Sequence, residues 1–187
     1  MVRYADDAVL AFEREDDSRR VLAVLPKRFE RFGLTLHPEK TCLVDFRSPA
    51  WRGPNRSQRE RSFDLLGFTH YWGRSQKGNW VVKRKTVRSR FSRAVRQIGQ
   101  WCSSHRHLSV AEQQQALSRK LRGYDACYGI TGNARALVRF RQEVRHRWRK
   151  WLNRRSHKAF LDWAAFERLL QRYPLPPPRV VDSNYVT

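Results

Sequence analysis

Acidic residues are scarce in the second half of this 187-residue sequence, where positions 74–158 contain only Glu112, Asp125 and Glu143. The whole chain has 39 basic and 17 acidic residues, a formal net charge of +22. The imbalance is too large for interspersed ion pairs, which favours a polyanionic partner over the alternative of a merely solvated basic surface. The composition therefore predicts that the chain binds nucleic acid.

Cysteines are also few, and Cys42, Cys102 and Cys127 are widely spaced and outside any Cys-x-x-Cys pair. Neither a disulfide framework nor a zinc ribbon is indicated, which favours a reducing compartment. No charged and then apolar leader opens the sequence, and no apolar run approaches the roughly 20 residues needed to cross a bilayer. We expect a soluble, cytoplasmic protein that does not associate with membranes.

The sequence predicts an α+β chain, because strand-like segments precede a boundary near Thr86 and helix-period segments follow it. The expected divisions are 1–85, 86–173 and a stiff, proline-rich tail at 174–187. A loop is expected at 47–62, and a turn at 75–79 is expected to join the last two strands. The expected strands are 2–4, 8–12, 34–36, 41–46, 63–71 and 80–83.

One helix is expected within the first division, with Asp17 or Ser18 as N-cap and Gly33 as the C-terminal stop. Pro26 inside it predicts a kink or an irregular turn. Its expected apolar face consists of Val21, Leu22, Leu25, Phe29 and Phe32.

Amphipathic helices dominate the second division. Apolar residues recur at helical spacing from Val87 to Trp101 and from Leu137 to Leu152, with arginines on the opposite faces. Between them, Ser109 and Glu112 predict a capping box for a helix that ends near 129–133. A shorter helix is expected at 160–173.

A pair of adjacent carboxylates, Asp6 and Asp7, is expected at the tip of the first hairpin. Adjacent carboxylates repel one another unless a cation lies beside them. Polymerases hold two divalent cations about 3.5–4 Å apart with such oxygens. Acidic pairs are also common in ordinary turns, so this segment alone does not decide between the two interpretations.

The order of the motifs is more specific. RYADD at 3–7, GLTLHPEKT at 33–41 and LLGF at 65–68 resemble the successive palm motifs of group II intron reverse transcriptases. LRGY at 121–124, YG at 128–129 and Asn133 resemble the family's thumb or maturase-specific region. YPLPPPR at 173–179 resembles the ending of its bacterial members. The resemblance implies a partial polymerase palm, made of antiparallel strands and one packed helix, followed by a helical thumb/maturase bundle.

The resemblance also assigns roles to individual residues. It makes Asp6 and Asp7 the catalytic ligands of Mg²⁺, with Tyr4 facing the incoming nucleotide. Lys40 corresponds to a basic residue near the polyphosphate, although a solvated lysine is an equally good interpretation. Leu66, Gly67 and Phe68 correspond to the primer grip, where glycine lets the primer backbone approach closely, although an ordinary strand glycine is the alternative.

Family members carry a fingers domain and an earlier palm strand with a third catalytic aspartate before the YADD segment, whereas this sequence begins at Met1. Ala8 also stands where the family generally has a larger apolar residue. We therefore expect the two-metal site to be incomplete unless another chain supplies the fingers and first palm strand. The isolated chain is expected not to extend a primer on an RNA template with magnesium.

The resemblance suggests folded group II intron RNA as the partner, with a DNA target or primer as a further one. Tryptophans among the arginines could stack on bases, although helical spacing predicts several in the core. His105 and His107 flank Arg106 in a turn and do not indicate a metal site. The predicted phosphate contacts are Arg88, Arg90, Arg93, Arg96, Arg119, Lys120, Arg139, Arg145 and Arg149.

Three functional interpretations follow. The first is an enzyme fragment that performs RNA-directed DNA synthesis and assists splicing when its missing half is supplied. The second is a maturase-type RNA-binding module without chemistry, or an inactive gene remnant. The third, a generic DNA-binding protein, is least favoured because no helix-turn-helix or zinc-finger pattern is present. Asp6→Asn separates the first two, because only the enzyme loses function at unchanged RNA affinity.

Overall fold

A computed structural model describes residues 1–38, 40–49, 62–155 and 160–182. The fold is mixed α+β and about 50% helical. Two compact units are present, Met1–Lys83 and Arg84–Thr187. In chain order the elements are β1 (Val2–Tyr4), β2 (Asp7–Val9), α1 (Glu15–Glu30), β3 (Ser62–Leu65), β4 (Phe68–Arg74), β5 (Trp80–Thr86), α2 (Arg88–Ser104), α3 (Val110–Tyr128), α4 (Ala134–Leu152) and α5 (Trp163–Arg172).

The first two strands form an antiparallel hairpin in which Tyr4 pairs with Asp7 and Val2 pairs with Val9. Ala5 and Asp6 are its two loop residues, and Ala5 has a φ of 49°. The second strand was predicted at 8–12 but ends at Val9, because β1 begins at Val2 and offers no partner beyond that pair.

The helix α1 begins at Glu15, two residues before the predicted cap. The prediction was wrong because the Ser18 hydroxyl donates to the Glu15 carbonyl within the first turn, at 2.6 Å. The helix continues through Pro26 and ends at Glu30, and the turn after it closes at Gly33, the predicted stop, which has a φ of 65°. Backbone N–H groups of Gly33 and Leu34 donate to the Glu30 and Phe29 carbonyls, the pattern of a Schellman motif.

The strands predicted at 34–36 and 41–46 are not formed, and both segments have irregular backbone. The second segment still packs on the sheet, since the Phe46 carbonyl accepts a hydrogen bond from the Trp72 indole at 2.9 Å. The Phe46 ring also lies 5.0 Å from that of Phe63, centroid to centroid. The predicted loop 47–62 falls mostly outside the described residues, but its last residue, Ser62, begins β3.

The single strand predicted at 63–71 is in fact two strands. Leu65 pairs with Phe68, and the two loop residues Leu66 and Gly67 have φ values of 52° and 83°. Positive φ at both loop positions is the signature of a type I′ hairpin turn. The next turn was predicted correctly, because β4 and β5 are joined across 75–79, where the Ser75 N–H donates to the Asn79 carbonyl at 2.8 Å.

The second unit is a helical bundle in which α2 and α4 run parallel. Phe91 lies beside Phe140, with ring centroids 6.1 Å apart. About two turns further along both helices, Gly99 faces Arg147. The predicted apolar faces form the core. Its buried residues are Val95, Ile98, Cys102, Leu117, Leu121, Tyr124, Leu137, Phe140, Val144, Trp148, Phe166 and Leu175.

The capping box of α3 is confirmed. Glu112 N–H donates to the Ser109 hydroxyl oxygen at 3.2 Å, and the Ser109 N–H donates to the Glu112 carboxylate at 2.9 Å. The last helix is shorter than the predicted 160–173, because the Asp162 carboxylate caps α5 by accepting from the Ala165 N–H at 2.6 Å. No helix in the described parts of the chain is long and apolar enough to span a bilayer.

The proline-rich segment after α5 is held against the bundle. Leu175 is buried, and the Arg141 guanidinium donates to the carbonyls of Leu175 and Pro176 at 3.1 and 2.9 Å. Farther along, the Val181 N–H donates to the Gly129 carbonyl at 2.6 Å. The predicted tail therefore packs against the bundle as far as Asp182, and residues 174–182 are called the strap below. Residues 183–187 lie outside the described residues.

Candidate nucleic-acid interface

The solvent face of α2 presents four of the predicted phosphate contacts. The side chains of Arg88, Arg90, Arg93 and Arg96 are exposed. The helix contains no acidic residue. Guanidinium groups bind phosphate oxygens bidentately and are weakly hydrated, so an acid-free arginine face suits a phosphate backbone.

Three further candidates are exposed on neighbouring helices. Arg119 and Lys120 lie on α3, and Arg139 lies on α4. The Lys120 ammonium is 5.5 Å from the centroid of the Trp101 ring, and the Arg139 guanidinium is 5.2 Å from that of Phe91. Both cations rest on rings at the margin of the core with their charged ends accessible to a ligand.

The remaining two candidates, Arg145 and Arg149, have contacts within the bundle. Arg145 forms an ion pair with Glu167 of α5. Arg149 donates to the Leu161 carbonyl at 3.0 Å, and its guanidinium lies 4.3 Å from the Trp163 ring centroid. Together with Arg141 they occupy every fourth position of α4, which places them along one side of the helix.

These three residues, Arg141, Arg145 and Arg149, are called the arginine row below. The pKa of Arg141 is lowered, chiefly by burial and next by the positive charge of Arg145. A row that already contacts α5 and the strap has fewer free donors for phosphate than the α2 face. Both helices carry several arginines on a polar face, so the sequence alone could not separate the two sets.

One basic residue that sequence reasoning did not select is Arg147. Its Cδ is 3.7 Å from the point where a Cβ on Gly99 would lie, so its stem runs along α2. Its guanidinium is 3.9 Å from the Glu143 carboxylate, a partly exposed pair one turn apart. A Cβ at position 99 would make an ordinary van der Waals contact there, so the glycine gave no signal for Arg147.

The tryptophans divide between packing and the surface. Trp148 is fully buried, and its indole N–H donates to the Gln113 side-chain oxygen at 2.8 Å. The Gln113 amide in turn donates to the carbonyls of His105 and Leu108 at 2.8 and 3.3 Å. Trp148 therefore fixes the turn between α2 and α3 from inside the core. Trp101 is half-buried beside that turn.

The acidic hairpin is exposed, including Tyr4, Asp6 and Asp7. Two carboxylates supply hard oxygen ligands of the kind that Mg²⁺ prefers, but only part of a coordination shell. Among residues 1–38, 40–49, 62–155 and 160–182, no group of three or more His, Cys, Asp or Glu side chains could hold a metal ion. We derive no catalytic step through a metal from this arrangement.

The other palm-like candidates lie in turns of the first unit. Lys40 is exposed, and its N–H donates to the His37 carbonyl at 3.2 Å; the neighbouring Glu39 is outside the described residues. Leu66 and Gly67 form the β3–β4 turn, and Phe68 begins β4. Leucine at positive φ costs about 1 kcal/mol or more, so this turn holds an exposed apolar side chain in an unfavourable conformation. The roles assigned to these residues stay predictions.

Comparisons with known proteins identify no relative. No protein-family model matches the chain, and neither a curated protein nor a solved structure matches it.

Proposed function

We propose that this chain binds RNA as a group II intron-type reverse transcriptase and maturase, with the helical unit as its RNA-binding part. The observation that carries the proposal is the acid-free α2 face with Arg88, Arg90, Arg93 and Arg96 exposed. The net charge of +22 and the collinear palm-like and thumb-like motifs support it. A reducing, cytoplasmic site of action fits its three free cysteines.

Affinity for folded group II intron RNA tests the proposal. The chain should bind such RNA, and the logarithm of its affinity should fall linearly with the logarithm of salt concentration as phosphate counterions are released. Arg93→Gln should weaken binding and reduce the salt slope by about one, as expected for loss of one phosphate contact. Absence of binding at about 50 mM salt, where such contacts are strongest, would contradict it.

A matched control separates the α2 face from bulk charge. Arg154→Gln removes an equal charge from an exposed residue beyond α4, outside the predicted contact set. It should change affinity less than Arg93→Gln does. Equal losses from the two substitutions would indicate a diffuse electrostatic attraction and would remove the case for a defined interface.

The catalytic part of the proposal concerns the hairpin. In this proposal Asp6 and Asp7 supply two oxygen ligands for Mg²⁺, Tyr4 faces the nucleotide, and Lys40 offsets polyphosphate charge. Asp6→Asn should leave RNA affinity unchanged. In the presence of a chain that supplies the fingers and first palm strand, a loss of DNA synthesis in that variant would support the enzyme, whereas no DNA synthesis by the unmodified protein would support the binding module alone.

A further inference from the structure

Three rings are aligned at the turn between α2 and α3. The His105 ring stacks on the Trp101 ring, with centroids 4.8 Å apart and planes 14° apart. The His107 ring is nearly parallel to that of His105, at 6.4 Å and 19°. Rings in direct face-to-face contact without offset would lie about 4 Å apart at van der Waals separation. The His107 face is therefore incompletely covered by His105.

Local hydrogen bonds fix the His105 ring, the middle one of the three. Nδ1 of His105 lies 3.0 Å from the Trp101 carbonyl oxygen and 2.8 Å from the Ser104 hydroxyl. The His105 carbonyl accepts from the buried Gln113 amide at 2.8 Å. These contacts fix the His105 ring, against which the His107 ring lies nearly parallel.

The His107 end of the three rings is more exposed than the Trp101 end. His107 and Arg106 are exposed, while Trp101 and His105 are half-buried. Glu112 is the nearby acid, but its carboxylate accepts from the Ser109 hydroxyl at 2.7 Å and from the Ser109 N–H at 2.9 Å. A ligand at this end thus meets the exposed His107 ring and the exposed Arg106 side chain.

We propose that the His107 ring, backed by His105 and Trp101, stacks on an unpaired base of bound RNA, with the exposed Arg106 beside an adjoining phosphate. Every base has a π face, so stacking selects unpaired nucleotides over duplex without requiring a particular sequence. The inference rests on the proposed RNA-binding function and adds a single-strand contact to it.

The test compares single-stranded RNA carrying a fluorescent adenine analogue with a blunt duplex of the same sequence. His107→Ala should weaken single-strand binding about tenfold, the loss expected for one stacked base, and should abolish quenching of the analogue. The salt slope should be unchanged, because no phosphate contact is removed. His107→Phe retains a ring and should restore most of the affinity and the quenching.

His146→Ala is the matched control, since it removes an exposed histidine from α4, where its ring lies edge-on to Trp163 at 4.9 Å. It should leave single-strand affinity and quenching unchanged. Unaltered affinity and quenching in His107→Ala, with RNA still bound, would overturn the stacking site and leave the proposed function intact. If the unmodified protein binds neither RNA, the proposed function itself fails.

Discussion

Asn133 holds Thr86 through both atoms of its amide. Its Nδ2 donates to the Thr86 hydroxyl at 2.8 Å, and its Oδ1 accepts the Thr86 backbone N–H at 3.1 Å. The same Nδ2 donates to the Tyr128 carbonyl at 2.9 Å. Through these hydrogen bonds the Asn133 side chain joins the end of β5 and the end of α3 at the start of α4. Asn133 itself is buried.

Asn133→Ala should destabilise the helical unit by about 2 kcal/mol. It leaves the buried Thr86 N–H without this acceptor, at about 1–3 kcal/mol, whereas the Tyr128 carbonyl still accepts from the Ile130 N–H at 2.9 Å. Thr86→Val removes only the hydroxyl and should cost about 1 kcal/mol. Urea unfolding followed by helical circular dichroism measures both. Equal losses in the two variants would show that the backbone contacts of Asn133 contribute nothing.

Gly123 of α3 and Gly129, the residue that follows this helix, should respond in opposite ways to alanine. At Gly129 a Cβ would lie 2.3 Å from the Asp125 carbonyl oxygen and 2.6 Å from that of Arg179. Both are backbone atoms that cannot move aside cheaply. At Gly123, within α3 and exposed, a Cβ would meet nothing within 4 Å.

Gly129→Ala should therefore destabilise the protein by about 1–3 kcal/mol through overpacking. Gly123→Ala should stabilise it by roughly 0.5–1 kcal/mol, because alanine is the better helix former. Thermal unfolding of the two variants gives the comparison. A neutral Gly129→Ala would mean that the strap does not approach Gly129 as closely as described.

The apolar period of the sequence was enough to predict the bundle. Val95 and Ile98 of α2, and Phe140, Val144 and Trp148 of α4, are buried as their spacing indicates. Local chemistry also predicted the capping box and the Gly33 stop, because each depends on residues a few positions apart. Such signals do not depend on where the rest of the chain lies.

Features set by distant or unfavourable contacts were not predictable. The β3–β4 turn was missed because leucine seldom adopts the positive φ that Leu66 has, so the pattern favoured one long strand. The contacts of Arg141 with carbonyls more than thirty residues away have no local signal. Arg145 and Arg149 differ from Arg93 and Arg96 only because α5 and its preceding segment pack beside them.

The strap should depend on Arg141. Arg141→Lys removes the planar guanidinium that bonds two carbonyls, and a charged hydrogen bond contributes about 1.5–3 kcal/mol. The amides of Leu175 and Val181 should then exchange hydrogen faster. Arg139→Lys makes the same change at an exposed position of α4 and should leave exchange in the strap unaltered. Unchanged exchange in Arg141→Lys would show that Leu175 burial alone holds the strap.

The α3 capping box should make stability fall on acidification. Hydrogen bonds from the Ser109 hydroxyl and N–H lower the pKa of Glu112 below its ordinary value. A carboxyl with a depressed folded-state pKa contributes stability above its unfolded pKa and loses it as pH falls through the folded one.

Glu112→Gln keeps an acceptor for Ser109 but does not titrate, so its melting temperature should decline less steeply than that of the unmodified protein from neutral pH to about pH 3. Glu143→Gln removes an acid that lies 3.9 Å from Arg147 and outside any cap, and should preserve the slope due to Glu112. Thermal melts across the pH series measure both variants. If the melting temperatures of Glu112→Gln and of the unmodified protein fell equally steeply with decreasing pH, the cap would not depend on the carboxylate charge.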